Sequence, residues 1–192
     1  MSNIAIFASG SGTNAQNIIR FFRPKENINV KLVLCNKPEA GVIDRAKELD
    51  TETFIFTRDD FYNTDLVNDK LEQYGIDYIV LAGFLWLVPE SIVKAYPNAI
   101  INIHPALLPK YGGKGMYGSK VHEAVIANGE MESGITIHYV NEKYDEGNII
   151  FQARCSVDRA DTPETLAKKI HQLEHAHFPS VIEKVLAGKK LL

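Results

Sequence analysis

The sequence predicts an α/β fold: an open, mostly parallel twisted sheet with helices on both faces, followed by a C-terminal antiparallel strand region. Three observations predict it. Short apolar runs alternate with helical patterns as far as residue 103. These runs are apolar throughout rather than at every second position, as befits strands covered on both faces. Beyond His104 the pattern changes to loop, helix, two strands joined by a polar turn, and one long helix.

The elements follow in order. Residues 4–8 are an apolar strand, broken at Ser9-Gly10-Ser11-Gly12. A helix follows with Ile18, Ile19 and Phe22 on one side. Residues 30–35 read as a buried strand, 42–49 as a helix and 53–56 as a strand. A single helix is expected over 60–74, carrying Leu66, Val67 and Leu71. Gly75 leads into a strand at 78–82. A short helix at 89–96 has proline near its start, and a fifth strand covers 99–103. The stretch 105–119 is loop-like, rich in proline and glycine. A helix is expected at 122–128, and strands at 135–140 and 149–157 flank the polar turn 141–148. Thr162-Pro163-Glu164 is a helix start, with a threonine cap and proline in the first turn. That helix runs to residue 186 or so, where Gly188 ends it.

The composition bounds the function. A chain of 192 residues suits one domain with a core that needs no staples. Hydrophobic residues make up 45% and charged residues 23%, and the net charge is −3, so no basic field points to nucleic acid. Cys35 and Cys155 lie in apolar runs and read as reduced core residues. The N-terminus enters a strand directly, without a cleavable leader pattern, and no apolar run approaches the roughly 20 residues of a membrane span. A cytoplasmic protein is expected.

The loop Ser9-Gly10-Ser11-Gly12-Thr13-Asn14 sits between the first strand and the first helix. Glycines let backbone N–H groups approach an anion, and a helix N-terminus adds positive potential. Two readings stand: a phosphate site, or a tight turn whose threonine or asparagine caps the helix. Gly10-Ser11-Gly12-Thr13-Asn14-Ala15 matches half of a dinucleotide fingerprint, but the second strand ends in Cys35-Asn36-Lys37, without the ribose-binding carboxylate. The Gly-Lys-Ser/Thr of a nucleoside triphosphate loop is absent. A phosphomonoester fits best.

Asn102 and His104 share one face at the carboxyl end of the fifth strand, where open α/β sheets bind ligands. An amide N–H can hold a developing oxyanion, and an imidazole can move a proton near neutral pH. Alternatively the pair only satisfies loop backbone groups. In the turn 141–147, Glu142 and Glu146 read as solvated residues. Asp145 is carried forward, because a buried carboxylate beside His104 would raise its pKa. His171, His175 and Glu174 lie on the last helix, with His177 after them, but no third ligand for a catalytic metal is recognisable. No metal is expected; pocket-lining is the preferred role.

The motifs SGSGTN at 9–14, DYIVLAGFLWLVP at 77–89, NIHPALLPKYGG at 102–113, GITIHYV at 134–140, YDEGNII at 144–150 and QLEHAHFP at 172–179 together resemble the phosphoribosylglycinamide formyltransferases, a branch of the folate-dependent formyltransferases. The resemblance spans nearly the whole chain. It implies a single Rossmann-like formyltransferase domain over 1–192, with a phosphate- and substrate-binding half at 1–100 and a catalytic and folate-binding half at 101–192. It implies formyl transfer from 10-formyltetrahydrofolate, a cosubstrate, to the amine of 5'-phosphoribosylglycinamide in de novo purine (IMP) biosynthesis. The implied catalytic residues are Asn102, His104 and Asp145. Gly12, Thr13, Asn14, Pro109 and Glu174 would bind the phosphoribosylglycinamide. Leu85, Trp86, Leu87, Val88, Asn102, Asn141 and Asp145 would bind the folate. In this mechanism protonated His104 and Asn102 stabilise the oxyanion while Asp145 keeps His104 cationic.

The implied partners are small molecules, with neither nucleic acid nor membrane, in a monomer or homodimer. The sequence departs from the family's pattern at Thr64, Trp86 and His171, and in a longer segment at 113–118. The alternative is a 10-formyltetrahydrofolate hydrolase or another formyl-transferring relative. A hydrolase's regulatory domain or a tRNA-directed enzyme's RNA-binding domain is not expected in a chain of this length.

Overall fold

The computed structural model describes residues 1–188. Seven strands and seven helices follow one another as β1 (Ser2–Ala8), α1 (Thr13–Phe22), β2 (Ile28–Cys35), α2 (Gly41–Glu48), β3 (Glu52–Ile55), α3 (Arg58–Tyr62), α4 (Leu66–Gln73), β4 (Tyr78–Leu81), α5 (Glu90–Ala95), β5 (Ile100–His104), α6 (Ser119–Ala127), β6 (Glu132–Tyr139), β7 (Ile149–Ser156) and α7 (Pro163–Leu186). The strand order is β3-β2-β1-β4-β5-β6-β7. The sheet is mostly parallel with an antiparallel C-terminal pair, as the sequence predicts.

The chain forms two compact units, Met1–Ile101 and the residues from Asn102 onward. In the first, β1 pairs in parallel with β2 and β4, and β2 with β3. The apolar runs supply a core of Ile4, Ile6, Phe7, Leu32, Leu34, Ile79 and Val80, all essentially inaccessible to solvent. On α1, Ala15, Ile18, Ile19 and Phe22 are buried, the stripe expected from their spacing. In the second unit β6 and β7 are antiparallel, and α7 buries Leu166, Ile170, Glu174, Phe178, Val181 and Ile182.

One expectation fails locally. The helix read over 60–74 is two helices, broken at Asn63–Asp65. Thr64 Oγ1 donates to the Asp60 carbonyl at 3.0 Å and accepts from the Leu66 N–H at 3.2 Å, and Asn63 Nδ2 donates to Asp59 Oδ1 at 2.8 Å. Side chains of this kind satisfy backbone groups locally and so compete with a helix interior. Buried apolar residues stand on both sides of the break, Phe61 before it and Val67 after it. The start of α3 is separately fixed by a capping box between Thr57 and Asp60.

Two glycines are demanded by close approach. A Cβ on Gly12, whose φ is 78°, would meet Val42 Cα at 2.5 Å, where α2 passes the first loop. A Cβ on Gly134 would lie 2.0 Å from the Ala153 carbonyl oxygen on the paired strand β7 and 2.8 Å from Leu107 Cδ2. Replacing Gly134→Ala should therefore force the β6–β7 ladder apart and lower stability by about 1–3 kcal/mol, read as a reduced denaturation midpoint in urea. An unchanged midpoint would show that the ladder absorbs the methyl group.

Candidate functional site

In the second unit, β5 ends at His104 and the chain turns into the strap 105–109. Thr136 on β6 holds this strap. Its Oγ1 donates to the Ala106 carbonyl at 2.7 Å and accepts from the Leu108 N–H at 3.0 Å. Gln152 on β7 adds bonds to the Leu108 carbonyl at 3.1 Å and to Thr136 Oγ1 at 2.9 Å. The Leu108–Pro109 peptide is cis, and Pro109 is exposed.

His104 is buried, with 4% of its surface exposed. Its Nε2 lies 2.7 Å from the Tyr111 carbonyl oxygen and its Nδ1 lies 3.5 Å from Asp145 Oδ2. A carbonyl only accepts, so Nε2 carries a proton and Nδ1 is the nitrogen that titrates against the carboxylate. Asp145 Oδ2 also accepts from the Gly113 N–H at 2.9 Å, and Oδ1 lies 3.6 Å from His138 Nε2. His138 Nε2 is 3.0 Å from Asn102 Nδ2, and its Nδ1 is 2.8 Å from the Tyr139 carbonyl oxygen. That carbonyl takes the Nδ1–H, so Nε2 accepts from the Asn102 amide. Asn102 keeps its second N–H for a ligand.

Asn102, His104 and Asp145 are thus brought together, although Asp145 lies in a turn some forty residues downstream on the chain. His138 is a member of the group that the sequence reading missed. Its position on β6, two residues beyond the inward-facing Thr136, is a period-2 signal that could have found it. Asn141, in the same turn as Asp145, accepts from the Lys143 N–H at 2.9 Å and shapes the turn rather than reaching His104.

The electrostatics modify one expectation. Burial pushes the His104 pKa down; the Asp145 charge and the Tyr111 carbonyl push it up, and burial outweighs them. His104 is therefore not held cationic, although Asp145 acts in the expected direction. For Asp145, burial pushes upward, but the contact with His138, the charge of His104 and the Gly113 N–H together outweigh it and hold the carboxyl below its ordinary range. On α7, Glu174 is buried and His171 Nδ1 lies 2.9 Å from Glu174 Oε2, which raises the His171 pKa. His122 on α6 is buried as well; burial and then the charge of His171 lower its pKa. Among the described residues no group of three or more His, Cys, Asp or Glu side chains has a metal-holding arrangement, and no helix is long and apolar enough to cross a membrane.

In the first unit, Gly12 is the N-cap of α1, with a φ of 78° and no side-chain cap bond. The loop is braced from α2: Arg45 Nε donates to the Ser11 carbonyl at 2.9 Å, and the Val42 N–H donates to the Gly10 carbonyl at 3.2 Å. The strip Leu85–Val88 follows β4 as irregular chain. Leu85 N–H donates to Ser9 Oγ at 3.1 Å, and the Leu87 carbonyl accepts from Tyr62 Oη at 2.8 Å. Val88 is buried, whereas Leu85 is 37% exposed. Trp86 packs against Phe56, Phe61, Tyr62 and Phe84 at centroid distances of 6.0–6.2 Å.

The formyl transferase family model matches residues 2–182. The chain belongs to the formyl transferase family. It is similar to the Bacillus subtilis phosphoribosylglycinamide formyltransferase, with 36% identity over 97% of this chain and 95% of that one. It is 41% identical to the chloroplastic phosphoribosylglycinamide formyltransferase of Arabidopsis thaliana over 93% of its own length, which spans 63% of the plant protein. Among solved structures, glycinamide ribonucleotide transformylase 1 from Symbiobacterium toebii superposes with a TM-score of 0.90 at 31% identity, covering 98% of this chain and 89% of that one. The phosphoribosylglycinamide formyltransferase of Bacillus halodurans gives 0.87 at 37%, covering 96% and 95%.

Both pKa shifts have the same linkage sign. The folded His104 binds fewer protons than the unfolded chain does just below pH 6.5, and the folded Asp145 binds fewer around pH 3.8. Each group therefore favours folding more as pH rises and loses that contribution as pH falls through its window. In an NMR titration the His104 ring should titrate below 6.5, and lower still in Asp145→Asn, which removes the opposing charge. A higher value in the variant would refute the contact.

Proposed function

We propose that this protein is a phosphoribosylglycinamide formyltransferase, moving the formyl group of 10-formyltetrahydrofolate to the amine of 5'-phosphoribosylglycinamide in purine biosynthesis. The observation that carries the proposal is the grouping of Asn102 and Asp145 about buried His104 in a formyl transferase chain. Gly12, Thr13 and Asn14 take the substrate phosphate. Glu174 takes the glycinamide, Pro109 borders the reacting groups, and the 85–88 strip with Asn141 takes the folate.

The substrate amine attacks the formyl carbon, and the carbonyl electron pair moves to oxygen. The second N–H of Asn102 donates to that oxyanion. The His104 Nε2–H, which rests on the Tyr111 carbonyl, is the other donor, so segment 110–113 gives way when the formyl oxygen arrives. Developing negative charge raises the proton affinity of His104, and ionised Asp145 stabilises the imidazolium as it forms. The amine nitrogen then gives up a proton, the donor nitrogen gains one, and the bond between that nitrogen and the formyl carbon breaks. A histidine with its pKa held down by burial suits this exchange, since it takes up a proton only as charge develops. The action is in the cytoplasm, on small molecules, by a monomer or homodimer.

The test is formyl transfer to phosphoribosylglycinamide, measured against release of formate to water. Transfer should dominate in the wild type. Asp145→Asn and His104→Asn should each reduce turnover by roughly 10²–10⁴-fold, and Asn102→Ala by about 10²–10³-fold, with folding retained by circular dichroism. Wild-type turnover in Asp145→Asn sinks the role of that carboxylate, and formate as the main product turns the assignment to a hydrolase.

A further inference from the structure

A neutral imidazole carries one proton, and two acceptors compete for the one on His104. Asp145 Oδ2 faces Nδ1 at 3.5 Å, and the Tyr111 carbonyl oxygen faces Nε2 at 2.7 Å. A carboxylate is the stronger acceptor, so at equal distances the proton settles on Nδ1. The neutral carbonyl keeps it on Nε2 only while it is held close. Tyr111 stands there against its own backbone preference: its φ is 57°, in the left-handed region that bulky residues rarely occupy. What fixes it is its side chain. Tyr111 Oη donates to Glu130 Oε1 at 2.9 Å and accepts from Asn128 Nδ2 at 3.0 Å. Lys110 Nζ, next to it in the chain, donates to the same carboxylate at 3.0 and 3.3 Å. Lys110 and then the Tyr111 hydroxyl hold the half-buried Glu130 carboxyl below its ordinary range. The grip has a firm base. Asn128 and Glu130 flank Gly129, whose φ is 62°, at the end of α6. There the N–H groups of Asn128, Gly129 and Glu130 donate to the carbonyls of Ala124, Ile126 and Val125 at 3.0–3.3 Å.

We infer that Glu130, gripping Tyr111 by its hydroxyl, is a positioning residue that keeps the neutral His104 ring in its Nε2–H tautomer. Glu130 acts through the Tyr111 main chain: the phenol fixes where residue 111 stands, and its carbonyl then meets Nε2. Without that grip the unfavourable backbone conformation relaxes, the carbonyl withdraws, and the proton moves to Nδ1 under the pull of Asp145. The catalytic consequence rests on the proposed formyl transfer, in which the Nε2–H faces the oxyanion. An Nδ1–H ring turns a lone pair on that oxygen instead and repels it. Because the grip is on the phenol, the main chain of 110–113 can swing aside for the formyl oxygen and return to the same place.

The experiment reads the tautomer directly, by long-range nitrogen–proton NMR correlation on the whole protein with isotope-labelled histidine, at a pH where the ring is neutral. The wild type should carry its His104 proton on Nε2. Glu130→Ala and Tyr111→Phe should each move it to Nδ1. Glu130→Gln, which keeps an acceptor oxygen for the phenol, should retain the Nε2–H form. In the transfer assay Glu130→Ala and Tyr111→Phe should lower kcat by about 10-fold, part of the roughly 10²–10³-fold that an oxyanion donor is worth, at unchanged KM for both substrates. An Nδ1–H ring in the wild type overturns the inference, and so does an Nε2–H ring in either Glu130→Ala or Tyr111→Phe. The spectra need no substrate. A reversed tautomer therefore upholds the clamp even if the wild type moves no formyl group, an outcome that defeats only the proposed reaction. A reversed tautomer with unchanged kcat likewise upholds the clamp and removes the Nε2–H from the oxyanion.

Discussion

The carboxylate of Asp145 is the constraint on which the second unit depends. Its side chain is 12% exposed and ionised, and an ionised group at that depth must be compensated or it costs several kcal/mol. The Gly113 N–H donates to Oδ2, and the rings of His104 and His138 face the carboxylate at 3.5 and 3.6 Å, so three groups from three separate segments meet there. Satisfying it fixes much else. Asp145 itself adopts a φ of 55°, which aspartate tolerates better than most residues. A side chain at Gly112 would run into Leu108 Cδ2 at 2.5 Å and crowd Asp145 Cβ at 3.3 Å. Gly147 lets the turn pass so close to the Tyr139 carbonyl that a Cβ would lie 1.7 Å from that oxygen. Gly112 thus leaves room beside this anion, and Gly147 shapes the turn that carries it.

The same burial that makes Asp145 need partners sets the state of His104. Two acceptors face its two nitrogens, an arrangement that on its own would favour the imidazolium. Desolvation disfavours any charged form and wins here. The hydrogen bond at Nε2 is short and the approach to Asp145 at Nδ1 is long, as expected for a ring that is not drawn in by a full ion pair. Each unit of pKa is worth 1.36 kcal/mol, so modest charge developing on a bound molecule can restore the proton. The histidine is therefore responsive rather than permanently cationic.

Most of the sheet was legible because its signal is local. Uninterrupted apolar runs bounded by glycine and asparagine specify buried strands, and all seven were placed with boundaries shifting by a few residues. The break between α3 and α4 was not, because apolar residues flank it on both sides at Phe61, Val67 and Leu71 while Thr64 satisfies the backbone locally. Asn102 and His104 were visible from strand-end placement. Asp145 was singled out within its turn, but its pairing with His104 came only through resemblance, since the contact is made across the tertiary fold from an irregular turn. His138 was overlooked because an inward histidine in a strand looks like a core residue until its neighbours are known. The balance of burial and charge at His104 depends on depth, which a sequence does not give.

The strip at 85–88 shows how a backbone course can be fixed with little demand on side-chain identity. Two of its backbone groups are already spent, the Leu85 N–H on Ser9 and the Leu87 carbonyl on Tyr62. Those bonds hold the strip's course and leave the remaining backbone donors and acceptors in fixed directions. Every non-proline residue supplies the same N–H and C=O, so a planar ligand read by backbone groups places little demand on side-chain identity. Trp86 illustrates the consequence. Its indole turns into the Phe56, Phe61 and Phe84 cluster and stiffens the strip from behind. Rigidity of this kind favours recognition, because the ordering cost is met in folding rather than on binding.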